Sequence, residues 1–232
     1  MSRIAKGAIP SPNIWRTPEL YEVENRAVDP AGLLESAMAE IRPWTGANVL
    51  DIGCGTGYHL PRFAADAARV VGVEPHGGLA ELAVRRCAGI PNVSVRTGTA
   101  QELPVPDASV DVAHARWAYF FGPGAEPGLA ELDRVMRRGG AAFVIDIDAT
   151  RGPYGRWFRR WLTSYDPEEV EEFWTRRGWR RKALTIRWEF ERREDLEAVL
   201  RIEFTKASAE GFLAEVPGTG FDYAANLWWR TY

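Results

Sequence analysis

A chain of 232 residues, 46% hydrophobic and 26% charged, is long enough to bury a sheet and its covering helices, and its composition excludes a disordered or fibrous protein. The formal net charge of −3 argues against a nucleic-acid binder that works by bulk electrostatics. Two cysteines make no disulfide framework, no stretch reaches membrane-spanning length, and the opening MSRIAKGAIPSPNIW lacks the apolar run of a signal peptide, so a cytoplasmic protein with no DNA or membrane partner is expected.

Residues 1–28 are rich in Pro, Trp and Tyr without a clear period and are expected to form an irregular N-terminal arm or lid. Asp29-Pro30 has the chemistry of a helix start, a good N-cap followed by a residue favoured at the first helical position. Leu33, Leu34, Ala37, Met38 and Ile41 then recur at helical spacing until Pro43. From 48 to 148 short apolar strands alternate with helices. Strands are predicted over 48–52, 69–74, 93–95, 110–115 and 141–147, with helices from about Tyr58, over 79–87 and over 129–136. This rhythm predicts right-handed crossovers and a Rossmann-like, doubly wound α/β fold: a mostly parallel sheet with helices on both faces. Gly139-Gly140 reads as the end of the helix before the fifth strand. After 150 the pattern changes to helices over 154–162, 167–177 and 194–216, and strands over 183–190 and 221–232. Those two strands bring the expected sheet to seven.

Ten tryptophans are unusual, and five of them (Trp157, Trp161, Trp174, Trp179, Trp188) fall between 151 and 193. The same window carries 12 Lys and Arg against 7 Asp and Glu. An amphipathic covering layer whose arginines lie around aromatic anchors explains both features, ahead of a surface for an acidic partner.

Residues 49–57 read Val-Leu-Asp-Ile-Gly-Cys-Gly-Thr-Gly, a buried strand running into a glycine turn that opens a helix. In an open parallel sheet a nucleotide-like ligand binds here, beyond the carboxyl ends of the strands. Gly53 and Gly55 let the backbone turn sharply and lie close to a ligand, and the helix start presents amide donors. The dinucleotide fingerprint would place its third glycine at 58, where this chain has Tyr58; the third glycine is Gly57 instead. Asp51 just before the turn would repel a pyrophosphate and suits a ligand with a cationic amino group. Glu74 ends the second strand, 21 residues after Gly53, where a carboxylate accepts ribose hydroxyls. Pro75 and His76 follow, placed to pack on an adenosine or to form an exposed turn.

The run D-I-G-C-G-T-G, then V-V-G-V-E, then A-Q-E-L-P-V-P-D-A-S-V-D-V, then E-L-D-R-V-M-R-R-G-G resembles the class I S-adenosylmethionine (SAM)-dependent methyltransferases, and within them the "type 11" small-molecule group that includes quinone C-methyltransferases. The resemblance covers roughly 48–148. It implies SAM (S-adenosyl-L-methionine) as cofactor, with Gly53, Cys54 and Gly55 along the methionine portion, Asp51 near its amino group and Glu74 on the ribose. It further implies Ala100 and Gln101 beside the adenine, and Ala115 and Arg116 beside the methionine. One position departs from the pattern: Thr99 stands where the family has an Asp that bonds the adenine amino group. The implied organisation is a single domain over 29–232, with 48–148 as cofactor-binding core and 149–232 completing the sheet and covering the acceptor site.

A sulfonium-bound methyl group is already activated, so transfer needs proximity, alignment and exclusion of water, and a general base only where the acceptor must lose a proton. No fixed triad is visible among His59, His76 and His114, and His114, inside the fourth strand, reads as a core histidine. The acceptor is expected beyond the fourth strand, with Arg116 for an acidic group and Trp117, Tyr119 and Phe120 as walls. Trp15 and Tyr21 of the arm are expected to close over the same opening, Tyr21 against the cofactor, as are Tyr154 and Trp157 after the fifth strand. No carboxylate ends the fourth strand, so no metal is expected. The expected activity is methyl transfer to O, N or C of a small molecule. A non-catalytic SAM-binding protein and an RNA methyltransferase using the basic 151–193 window remain the alternatives.

Overall fold

The computed structural model describes residues 4–232. Strands β1 (Asn48–Ile52), β2 (Arg69–Glu74), β3 (Val93–Thr97), β4 (Val110–Arg116) and β5 (Met136–Ile147) run parallel. The last two, β6 (Arg180–Glu189) and β7 (Gly220–Thr231), are antiparallel, with β7 inserted beside β5. The seven-stranded order is β3-β2-β1-β4-β5-β7-β6, the expected doubly wound sheet. It switches direction of travel between β1 and β4, the point where such sheets open a crevice.

Successive side chains of a strand point to opposite faces, and the central strands are apolar on both faces over most of their length. Val49, Val70 and Val112 pack into one core, while Leu50, Val71 and Ala113 pack into another. The first core is roofed by α3 (Leu33–Ile41), α4 (Leu60–Ala64), α5 (Gly77–Arg86), α7 (Gly152–Trp161), α9 (Arg193–Glu203) and α10 (Lys206–Glu215). The second is roofed by α6 (Glu126–Val135) and α8 (Pro167–Thr175).

The expected irregular arm is a correction: it holds two helices, α1 (Pro12–Arg16) and α2 (Pro18–Ala27), each with proline in its first turn. The apolar period of α2 is broken because one residue it buries is Glu24. Asp29 does not sit directly against its helix. Gly32 is the N-cap of α3, and the Asp29 carboxylate reaches across the turn to accept from Leu33 N (3.0 Å) and Leu34 N (2.9 Å). The helix expected over 194–216 is two, broken where Phe204 is extended and Thr205 caps α10. Gly139-Gly140 does not end a helix. α6 stops at an extended Met136, and the pair lies inside β5, where a Cβ on Gly140 would sit 2.8 Å from the Asp111 carbonyl. Four of the five clustered tryptophans are buried, with only Trp161 exposed at 42%.

Candidate cofactor and acceptor site

β1 delivers the chain into the crevice at Ile52, and the turn that follows needs glycine twice over. Gly53 and Gly55 hold φ of 72° and 57°, the left-handed region that favours glycine. A Cβ at Gly53 would lie 2.5 Å from the Ala118 methyl, and one at Gly55 would lie 2.9 Å from Ile14. The turn is fixed by its own amides: Gly53 N and Cys54 N donate to Val73 O at 2.8 and 3.1 Å, and Gly55 N donates to Glu74 Oε2 at 2.9 Å. The other Glu74 oxygen accepts from His76 N at 2.9 Å. Glu74 is therefore both rim and fastener. Burial pushes its carboxyl up to about 7 against the pull of those two amides. α4 begins only at Leu60, so the amides after the turn are not the N-terminus of a helix starting at Tyr58.

A cavity opens above this turn, with about 1160 Å³ of space counting its open solvent mouth. One end is formed by Pro75, Thr99, Ala100 and Gln101. Gln101 Nε2 donates to Gly7 O at 3.2 Å, and the Trp15 ring lies 5.0 Å from that of His76, so the segment around α1 crosses this end. The other end is the exit of β4, where Arg116, Trp117 and Tyr119 face Tyr21, Asn25 and His59. Trp117 and Tyr119 hold φ of 48° and 53°, strain of the kind that collects at functional sites. Burial and the nearby Arg116 charge hold the His59 imidazole well below its usual pKa. The Cys54 thiol is pushed up by burial and by Asp51, which keeps it protonated and unreactive.

The structure thus brings Trp15, Tyr21, Gly53, Cys54 and Gly55 together with Glu74, Pro75, Thr99, Ala100 and Gln101 around one space, and adds Arg116, Trp117 and Tyr119. Six expected residues lie outside it. Asp51 points below the turn, where its Oδ1 meets His114 Nδ1 at 2.8 Å with both side chains buried. Gly57 backs onto α5, where a Cβ would lie 2.9 Å from Ala83. Ala115 is buried within the strand, and Phe120 turns away to pack beside Gly128. Tyr154 and Trp157 are core: Tyr154 packs 4.7 Å from the Tyr223 ring, and Trp157 stacks 5.1 Å from Phe212. Tyr154 and Trp157 share the buried face of α7. Asn25, Tyr58 and His59 line the cavity without having been foreseen. A polar residue beside an aromatic just after the glycine turn was the available signal. Among the described residues no group of three or more His, Cys, Asp or Glu side chains is placed to hold a metal ion.

Residues 49–140 match the family model described as a methyltransferase domain. An uncharacterized methyltransferase, YcgJ, of Bacillus subtilis is 31% identical over 127 residues, 53% of this chain and 50% of that protein. A demethylmenaquinone methyltransferase of Symbiobacterium thermophilum is 33% identical over 129 residues, 53% of this chain and 49% of that protein. The matches span about half the length of these curated relatives. Among solved structures, a putative methyltransferase from Bacillus halodurans superposes with a TM-score of 0.62 at 17% identity, over 84% of this chain and 96% of that one.

Proposed function

Because the chain belongs to the class I SAM-dependent methyltransferases, we propose that it transfers the cofactor's methyl group to an oxygen, nitrogen or carbon of a small-molecule acceptor held against the exit of β4. The observation that carries the reading is one cavity that joins a backbone-lined glycine turn, a buried carboxylate ending the adjacent strand, and an aromatic wall.

These residues fit the cofactor. A side chain at Gly53 or Gly55 would meet Ala118 or Ile14, and Glu74 keeps unused acceptor capacity on both oxygens. The Gly53–Gly55 backbone would hold the methionine portion, Glu74 the ribose hydroxyls, and Pro75, Thr99, Ala100 and Gln101 the adenine. Bound there, SAM supplies a methyl group already activated as part of a sulfonium ion. The chain then contributes alignment and dryness. Asp51 acts from behind the turn, paired with His114, rather than on the ligand. His59 lines the cavity as a neutral imidazole, kept so by burial and the Arg116 charge, with its buried Nδ1 3.6 Å from Glu35 Oε1. The lid role falls to the segment around α1, which crosses the cavity. α2 belongs to the body, since it packs on α9 and leads into the buried Ala27 and Val28. No helix among the described residues is long and apolar enough to cross a membrane, and we place the protein in the cytoplasm.

Calorimetric titration tests the reading. S-adenosylhomocysteine should bind and NAD should not, and Gly55→Val should abolish binding by filling the cradle. Turnover with SAM then separates an enzyme from a non-catalytic binder. Binding of NAD in place of S-adenosylhomocysteine would overturn the assignment.

A further inference from the structure

Arg116 is a buried cation with too few partners. Its side chain is 6% exposed, and its single hydrogen bond among the described residues runs from Nη1 to Glu35 Oε1 at 3.3 Å. That same carboxylate oxygen also takes Arg62 Nη1 at 3.4 Å and lies 3.6 Å from His59 Nδ1, so it is shared three ways. Arg116 Nε is buried with no partner. The guanidinium carbon lies 4.6 Å from the centroid of the Trp117 ring, and the residue lines the cavity. Asp29 adds attraction from a distance while its oxygens bond the amides of Leu33 and Leu34, and burial together with Glu203 pushes the Glu24 carboxyl well above the carboxylate range, so neither gives Arg116 a hydrogen-bond partner.

A desolvated guanidinium with spare donors is a fork for a carboxylate or phosphate, whose oxygens accept two parallel N–H bonds. We propose that Arg116, backed by Trp117, is an anion subsite that selects acceptors carrying a carboxylate on an aromatic or apolar body. The proposal rests on the methyltransferase reading. Trp117, Tyr119 and the 48%-exposed Phe121 supply the apolar flank, on the same loop as the cation. The other source of such an anion is the amino-acid end of the cofactor itself.

The two sources part in binding experiments followed by calorimetric titration. Wild-type protein saturated with S-adenosylhomocysteine is titrated with benzoate against benzamide and with indole-3-acetate against indole-3-acetamide. Carboxylates should bind about tenfold or more tightly than amides, the worth of a hydrogen bond to a charged group. Arg116→Gln should erase that preference and leave S-adenosylhomocysteine affinity within about threefold; Arg116→Lys, which keeps the charge without the fork, should be intermediate. The wild-type comparison needs no variant, so loss of folding in Arg116→Gln does not spoil the test. Absence of carboxylate preference, or of any carboxylate binding, overturns the subsite while leaving the cofactor assignment standing. If Arg116→Gln weakens S-adenosylhomocysteine but not 5′-methylthioadenosine, which lacks the amino-acid end, Arg116 serves the cofactor and the proposal fails. A wild-type protein that does not bind S-adenosylhomocysteine sinks the underlying reading instead.

Discussion

Around the glycine turn the wall is held by backbone amides: Gly53, Cys54 and Gly55 donate to Val73 O and to the Glu74 carboxylate, and few side chains intervene. Across the sheet, from α7 to β7, the same chain is held by rings. Tyr154 meets Trp157, Trp188, Phe204, Phe221 and Tyr223 with centroids 4.7–6.3 Å apart, and Trp174 packs between Trp179 and Trp228. The first arrangement leaves a polar, shape-defined space; the second fills all space and buries large apolar area. Under the proposed function, ligand binding and stability are therefore carried by different residues. A change in the ring layer should act on folding with little effect on ligand affinity, and a change at the turn should do the reverse.

The sharpest way to break that division is Trp157→Ala. The ring is fully buried, stacks on Phe212, and its Nε1 donates to Glu215 Oε2 at 2.9 Å. Truncation should cost about 3–5 kcal/mol in denaturant unfolding. S-adenosylhomocysteine affinity of the folded fraction should stay within a few-fold; a collapse of affinity at full stability would show that the ring layer shapes the cavity.

On the other side of the comparison, Glu74→Gln should weaken S-adenosylhomocysteine by about 10–100-fold, the worth of hydrogen bonds to a charged acceptor, with a much smaller loss of stability. Because the carboxyl titrates near 7, wild-type affinity should fall as pH drops below that value and the carboxylate is lost. The glutamine variant should show a flat profile there, and an identical pH profile in both proteins would refute Glu74 as the ribose acceptor.

The smallest effect expected is at Asp146, buried within β5 at the border between the two regions, with Oδ2 unpartnered. Burial raises its carboxyl to about 7. The native state therefore keeps a proton that the unfolded chain has released between its ordinary pKa of 3.8 and about 7, and unfolding free energy declines as pH rises through that window. Asp146→Asn should remove this penalty. Relative to wild type it should gain stability that grows as pH rises through that window and nothing near pH 4, read from paired denaturation curves. A constant difference across pH would show that the carboxyl is not the titrating group.

The fold and half of the site could be read from the chain because both depend on local, periodic signals. Apolar runs at 48–52, 69–74 and 110–115 bounded by turns can only be strands buried on both faces, and a glycine turn after the first of them places the crevice. The place of Gly53, Gly55 and Glu74 around the cavity followed directly, since it depends on backbone conformation and on position at a strand end. Side-chain direction was decided elsewhere. Asp51 lies outside the cavity lining because β1 pairs with β4 in a register that sets it opposite His114. Tyr154 and Trp157 became core because β7 inserts between β5 and β6 and brings Phe221 and Tyr223 against α7. The first helices were hidden because the inward face of α2 includes Glu24, and the pairing of buried Arg116 with Glu35 formed only when α3 packed beside the exit of β4. Periodicity determines which face of an element is apolar; which neighbour that face meets depends on long-range pairing, and no local pattern encodes it.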